Sequence, residues 1–277
     1  MKIGLQIYSV RQAMTENPAK TLKAVKEMGY DWVEMAGGSY GLADKELLSL
    51  LKENGLRCAS VHQSPVKFIA DPEASVSYVK NLEANLAVIP MAPKRLESFV
   101  PQEAWEESIS VFSAMAKAYH EEGLSLLYHN HDFEVCQKEG NDYLLDRIFS
   151  AVPHLAPEFD TCWLSYGGLD PVKQILKYRG KITVVHLKDY RCATLPSKPI
   201  WQLLETGELE AKPEKRSLCG FSYQPVGCGV ENWDAVVSAS SEAGAEFLIV
   251  EQDESKERDP LEAVAMSRRF IKERFGL

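Results

Sequence analysis

An amphipathic stretch, then a glycine or asparagine, then a short apolar or β-branched run is a pattern that recurs along this chain. It marks a helix C-cap handing over to a buried strand. The handovers are Gly29 before Asp31-Trp32-Val33-Glu34, Gly55 before Leu56 to Val61, Asn85 before Leu86 to Pro90, Gly123 before Leu124 to His131, Gly180 before Lys181 to Leu187, and Gly244 before Glu246 to Glu251. The helix starts are marked as well. Asn17-Pro18, Asp71-Pro72, Asp170-Pro171 and Asp259-Pro260 each place a capping side chain before a proline at the first helical position. With the runs Lys2 to Tyr8 and Leu155 to Asp160 added, eight strands alternate with helices, which by the right-handed crossover rule gives a parallel sheet. The pattern predicts an α/β fold, a closed (β/α)8 barrel over residues 1–277 as a single domain. A doubly wound open sheet is the alternative, but no strand is followed by a G-x-G-x-x-G or G-x-x-x-x-G-K-[ST] phosphate loop.

One interval breaks the rhythm. From Gly180 to Gly244 is 64 residues, whereas Gly29, Gly55, Asn85 and Gly123 lie 26 to 38 apart. The loop after the seventh strand therefore carries an insertion, about residues 190–224, holding Trp201, Phe221 and Tyr223. Such a loop shapes a pocket as a lid or makes an oligomer contact, and both roles stay open.

The 277-residue length and 45% hydrophobic content suit one large core. No apolar run approaches the roughly 20 residues of a membrane span, and Met1-Lys2-Ile3-Gly4 leads straight into a strand with no signal-peptide pattern. The six cysteines form no C-x-x-C pair and read as reduced thiols, so a cytoplasmic location is expected. A net charge of −9 repels a phosphate backbone and argues against nucleic-acid binding.

In such barrels the chemistry sits at the C-terminal ends of the strands, and there the unusual residues gather. The first strand ends in Gln6-Ile7-Tyr8, the second in Glu34, the third in His62, the fifth in His129-Asn130-His131, the sixth in Asp160, the seventh in His186-Leu187-Lys188 and the eighth in Glu251-Gln252-Asp253. Four of the six histidines fall on this rim; His120 and His154 do not. Strand alternation places His129 with His131, His186 with Lys188, and Glu251 with Asp253. Glu134 follows on the loop. Taken singly, an Asp at a strand end caps the next helix, Lys188 pairs with Asp189, and Glu34 pairs with Arg11. Taken together, carboxylates and imidazoles pointing into one mouth need a positive partner, and mixed oxygen and nitrogen donors suit Mn²⁺, Mg²⁺, Co²⁺ or Zn²⁺.

Beyond these residues, the segments GLQIYSVRQ at 4–12, VHQ at 61–63, YHNHDFE at 128–134, FDTCW at 159–163, GGLDPV at 167–172, VHLKDY at 185–190, PVGCGVENW at 225–233 and VEQD at 250–253 span nearly the whole chain. In these it resembles the sugar phosphate isomerase/epimerase group of xylose isomerase-like TIM barrels, and within it the YHNHDFE branch. Inosose dehydratases, hydroxypyruvate isomerases, keto-sugar 3-epimerases and, more distantly, endonuclease IV belong to the same superfamily. The resemblance implies a role in carbohydrate metabolism and a divalent metal held by Glu134, Asp160, His186 and Glu251. Relatives often carry the fifth-strand ligand within the strand, so His129 and His131 compete with Glu134 for that place.

The resemblance further implies a metal-dependent isomerase or epimerase acting on a small sugar, keto-sugar or polyol. A chelated carbonyl and hydroxyl acidify the C–H between them, and a carboxylate moves that proton through an enediolate. Glu134, Glu251, His131 and Lys188 are the expected acid and base groups; Tyr8, Glu34, His62, His129 and Trp163 are the expected substrate contacts. A lyase or dehydratase acting on an inosose or a 3-keto-glycoside shares the first step and is the alternative. A DNA repair endonuclease would need a basic groove, and a non-catalytic sugar-binding barrel would lack the metal. Barrels of this kind often pair, so a homodimer is expected.

Overall fold

A computed structural model describes residues 1–91, 102–136, 138–139, 142–192 and 220–277. Eight parallel strands close into a barrel, numbered here β1 (Lys2–Gln6), β2 (Trp32–Met35), β3 (Arg57–His62), β4 (Leu86–Ile89), β5 (Ser125–His129), β6 (Leu155–Asp160), β7 (Val184–Leu187) and β8 (Phe247–Val250). Each strand pairs with its sequence neighbours, and β1 closes the cylinder on β8 through Lys2 opposite Phe247 and Leu5 opposite Val250. Helices run antiparallel outside, as the right-handed crossover requires. No helix among the described residues is long and apolar enough to cross a membrane.

The marked helix starts form as the sequence predicts. Asn17 accepts the N–H of Lys20, Asp71 that of Ala74, Asp170 those of Val172 and Lys173, and Asp259 that of Leu261, each with proline in the first turn. Most of the helix ends follow too, with Gly29, Gly55, Gly123, Gly180 and Gly244 at positive φ. The third handover differs: Glu83, at φ 55°, makes the left-handed turn, rather than Asn85. Strand ends are also shorter than expected. β1 gives way to a 3-10 turn at Ile7–Val10, and β5 stops at His129, so His131 lies on a loop and leaves the strand face of His129.

Side-chain alternation divides the core in two. Val33, Val61, Leu126, Tyr128, Phe159, Val185 and Leu248 face outward to the helices, while Ala59, Leu86, Val88, Leu127, Val184, Phe247 and Ile249 plug the cylinder. Gly4 belongs to this inner packing: a Cβ there would stand 2.5 Å from Ile249 Cδ1, so the missing side chain gives the isoleucine its room. Above the apolar plug the inward positions turn polar.

The predicted 190–224 insertion is described only at its roots, where Asp189–Arg191 pairs antiparallel with Ser222–Gln224. Trp201 lies outside the described residues. Asp189, expected as an alternative partner of Lys188, instead anchors the returning loop. Its Oδ1 accepts the N–H groups of Tyr190, Val230 and Glu231, and its Oδ2 those of Gly227, Gly229 and the Trp233 indole, all at 2.9–3.3 Å. A Cβ on Gly229 would come within 2.4 Å of both Asp189 Cγ and the Tyr190 carbonyl, so only glycine allows this approach. Replacing a buried acceptor of this kind strands several donors at once. Asp189→Ala is expected to lower unfolding free energy by about 3–5 kcal/mol, read as a fall in the urea midpoint; a loss under about 1 kcal/mol would mean that the loop is held elsewhere.

Candidate metal centre at the barrel mouth

The polar mouth is assembled from the last inward position of most strands: Gln6 on β1, Glu34 on β2, His62 on β3, His129 on β5, Glu158 and Asp160 on β6, and His186 on β7. Lys188 and Glu251 follow just beyond β7 and β8. All are buried. His62 arrives there through an irregularity. Val33 lies opposite Cys58 and Glu34 opposite Ser60, so Ala59 is an extra residue in β3. Ala59 and Ser60 both turn inward, Val61 outward and His62 inward again. Regular alternation from Ala59 would have sent His62 to the helices; the bulge re-aims it.

Glu34 is gripped on both oxygens. Gln6 donates at 2.8 Å and His186 Nε2 at 2.6 Å to Oε1, with His62 Nε2 at 3.1 Å, and the Ser60 hydroxyl donates to Oε2. Its expected alternative partner, Arg11, bonds instead to the carbonyls of Tyr8 and Asp253. Lys188 Nζ lies 2.9 Å from Asp160 Oδ2, 2.9 Å from Glu251 Oε2 and 3.0 Å from Asp253 Oδ1. The same ammonium sits 5.2 Å from the Trp163 ring centre.

Electrostatics divides these groups. Burial would push Glu34 up, but His186 and His62 outweigh it and hold the carboxyl well below its ordinary range. Glu251 is likewise driven down, burial being outweighed by Lys188 and His186. Burial works against a charged Lys188, yet Asp160, Asp253 and Glu251 hold its proton more firmly than usual. His62 is pushed up to about 10, where Glu34 and Glu158 overcome burial, and His186 rises for the same reason. His129 goes the other way. Burial and the positive charges of His186, His131 and Lys188 hold it well below 6.5, as a neutral imidazole with a free lone pair. Asp160 is pushed up to about 6, chiefly by burial.

Two sets of four buried side chains each bring one donor atom within 4.8 Å of the others: His129, Asp160, His186 and Glu251 nearer the opening, and His62, His129, Glu158 and His186 below. The upper set fits a divalent cation on chemical grounds. It mixes imidazole and carboxylate donors, it is sealed from bulk water, and Asp160 is already divided between two tasks. Asp160 Oδ1 caps the helix Thr161–Tyr166 by accepting the Trp163 N–H at 3.0 Å, while its buried Oδ2 faces the mouth, paired with the Lys188 ammonium at 2.9 Å.

Of the expected ligands, Asp160, His186 and Glu251 therefore meet, and His129 stands with them. Glu134 does not. It lies on the short helix Asp132–Cys136, and its oxygens take the Tyr128 hydroxyl and the His131 N–H, both at 2.7 Å. Tyr128 alternates with His129 and points out toward Phe112 and Phe149, so Glu134 is drawn behind the β5 strand end rather than into the mouth. His131 stacks on Phe133 and leans on Trp163. Trp163 is 1% exposed, in an aromatic wall with Tyr166, Phe221 and Tyr223. Tyr8 stands at the rim, 42% exposed under the Arg11 guanidinium. Sequence reading missed Glu158 altogether, although two-residue alternation back from Asp160 points to it.

A family model described as xylose isomerase-like TIM barrel matches residues 22–274. The chain belongs to this family. Among xylose isomerase-like relatives, inosose dehydratase from Bacillus thuringiensis (strain Al Hakam) is 27% identical over 179 residues, which is 64% of this chain and 56% of that protein. The match thus spans little more than half the length of that relative. Two solved structures share the family fold: a sugar phosphate isomerase/epimerase from Parabacteroides distasonis ATCC 8503 (TM-score 0.75, 20% identity, covering 98% and 93% of the two chains) and a probable 3-DHS dehydratase from Bacillus anthracis (TM-score 0.72, 14% identity, covering 99% and 100%).

Glu134 gives this xylose isomerase-like barrel a pH signature. Burial pushes its carboxyl from 4.5 to about 8 despite the hydrogen bonds from Tyr128 and His131. Because the folded value lies above the unfolded one, the neutral acid favours folding; that contribution is whole below about pH 4.5 and is lost as pH rises through about 8. In urea titrations at several pH values, Glu134→Gln should flatten the decline of stability between pH 5 and 8. An unchanged decline in the variant would show that Glu134 is ionised throughout.

Proposed function

We propose that this chain is a divalent-metal-dependent lyase that removes the proton beside the carbonyl of a keto-sugar or cyclic polyol ketone and expels the β-hydroxyl as water. The observation that carries the reading is Lys188 Nζ, seated 2.9 Å from Glu251 Oε2 within the donor group formed by His129, Asp160, His186 and Glu251. A base and an acid thus stand side by side.

A cation suits the charge balance of the mouth. Asp160, Glu251 and Asp253 converge on one lysine, and the field of Glu34 and Glu158 is what holds protons on His62 and His186. When bound, a divalent cation supplies Lewis-acid charge to adjacent carbonyl and hydroxyl oxygens and competes for the carboxylates that grip the lysine proton. His129, Asp160, His186 and Glu251 would hold it. Mn²⁺, Mg²⁺, Co²⁺ and Zn²⁺ all accept such a donor set.

Glu251, kept ionised by Lys188 and His186, takes the proton from carbon. The C–H electron pair becomes the new double bond, the β C–O bond breaks, and Lys188 protonates the departing oxygen. Glu251 then returns its proton to Lys188 across the 2.9 Å contact, which restores both groups. The aromatic wall of Trp163, Phe221 and Tyr223 keeps this side of the mouth dry, and Tyr8 at the rim offers a face to a sugar ring.

Isomerisation is the second reading, because the same adjacent pair can return a proton to the neighbouring carbon on the face from which it left. Epimerisation is favoured least: inverting a carbon needs groups on opposite faces, and Glu134, the expected second carboxylate, is turned behind β5. The relationship to inosose dehydratases agrees with elimination.

The test is a screen of inososes, 3-keto-glycosides and keto-sugars with metal-loaded protein in deuterated water, followed by NMR. Elimination should give an unsaturated or rearranged ketone lacking one hydroxyl. Lys188→Met should cut its formation by about 10²–10⁴-fold, the usual weight of a positioned acid, while deuterium exchange beside the carbonyl continues. Full turnover in that variant, or inversion of configuration as the sole product, would defeat the reading.

A further inference from the structure

The two donor sets share His129 and His186, and the distances within them differ in kind. In the lower set one atom, Glu158 Oε1, lies 3.1 Å from His129 Nδ1, 3.1 Å from His186 Nε2 and 3.3 Å from His62 Nε2. Those are hydrogen-bond lengths, and the centre of the three nitrogens is filled by an oxygen. In the upper set His129 Nε2 stands 3.8 Å from Asp160 Oδ2 and 3.9 Å from Glu251 Oε2. That is too long for hydrogen bonds, yet within about 4.1 Å, twice a usual metal-to-nitrogen distance.

Each shared imidazole faces the two sets with different nitrogens. His129 turns Nδ1 down to Glu158 and Nε2 up to Asp160 and Glu251. His186 turns Nε2 down to Glu34 at 2.6 Å and to Glu158, and Nδ1 up to Glu251 at 3.0 Å. A carboxylate below a ring claims the N–H and leaves the opposite nitrogen's lone pair for a metal.

We propose that Glu158, with Glu34 beside it, is a positioning residue that fixes the tautomers of His129 and His186 so that Nε2 of the first and Nδ1 of the second point to one cation. The lower set is then a supporting layer and not a second metal site. Glu158 is fully buried, and its Oε2 has no hydrogen-bond partner, so its one working oxygen serves the three rings. An amide in its place carries no charge, and it either turns its NH₂ to the rings or buries it unpaired where Oε2 now lies. The proposal rests on the metal reading given above and goes beyond it in naming what orients the ligands.

The experiment uses full-length protein with ¹⁵N-labelled histidine, loaded with Zn²⁺. Metal analysis should give one zinc per chain, and long-range ¹H–¹⁵N spectra should show His129 protonated at Nδ1 and His186 at Nε2. Glu158→Gln should weaken zinc binding about 10–100-fold in chelator competition and blur the single His129 tautomer. Reversed tautomers on either ring, unchanged zinc affinity in folded Glu158→Gln, or a second zinc lost with Glu158 would overturn the inference. The wild-type spectra decide the matter even if that variant does not fold. Wild-type protein that takes up no zinc would instead bring down the metal reading itself.

Discussion

Closing eight strands into a cylinder leaves the last inward side chains no water to turn to, and here those side chains are carboxylates. Glu34, Glu158, Asp160 and Glu251 share one buried mouth, where an unpaired charge is far costlier than at the surface. Every other polar group in the mouth answers that constraint. Lys188 bridges Asp160 and Glu251, His186 links Glu34, Glu158 and Glu251, and His62 joins Glu34 to Glu158. His129 alone is driven to neutrality, by burial and by the positive groups that the carboxylates have gathered. A site so arranged is electrically ready for a divalent ion and a polar substrate.

The fold supplies the floor and the frame. The apolar plug of Val88, Leu127, Val184 and Ile249 keeps water from reaching the carboxylates from below. Asp160 ties the mouth to the helix that follows it, since one oxygen caps Thr161–Tyr166 and the other faces inward. Asp189 performs the matching task one residue beyond Lys188, gathering the loop from Gly227 to Trp233 beneath the rim. Neighbouring carboxylates are thus assigned by local hydrogen bonding, some to structure and some to chemistry.

Much of this was legible from the chain. Proline after Asn or Asp located four helix starts, because the cap and the fixed φ are local physics. The rim position of Asp160, His186 and Glu251 followed from strand order alone. What could not be read depended on contacts across the barrel. His62 enters the mouth through a bulge at Ala59 that only the pairing of β2 with β3 reveals. Glu134 leaves it because Tyr128, one position out of phase with His129, offers a hydroxyl on the other side of the strand. Glu158 was within reach of period-two reasoning but hidden in an apolar-looking strand with a proline before it. Glu83 took the left-handed turn expected at Asn85, where geometry overrode residue preference.

The central claim is that one cation is held by side chains from four strand ends. Anomalous scattering from crystals grown with manganese or zinc tests it most directly. The account predicts one strong peak at about 2.0–2.3 Å from His129 Nε2, His186 Nδ1, Asp160 and Glu251. Density in which Lys188 fills that position and no peak appears, or a peak centred among His62, Glu158 and Glu34, would contradict it.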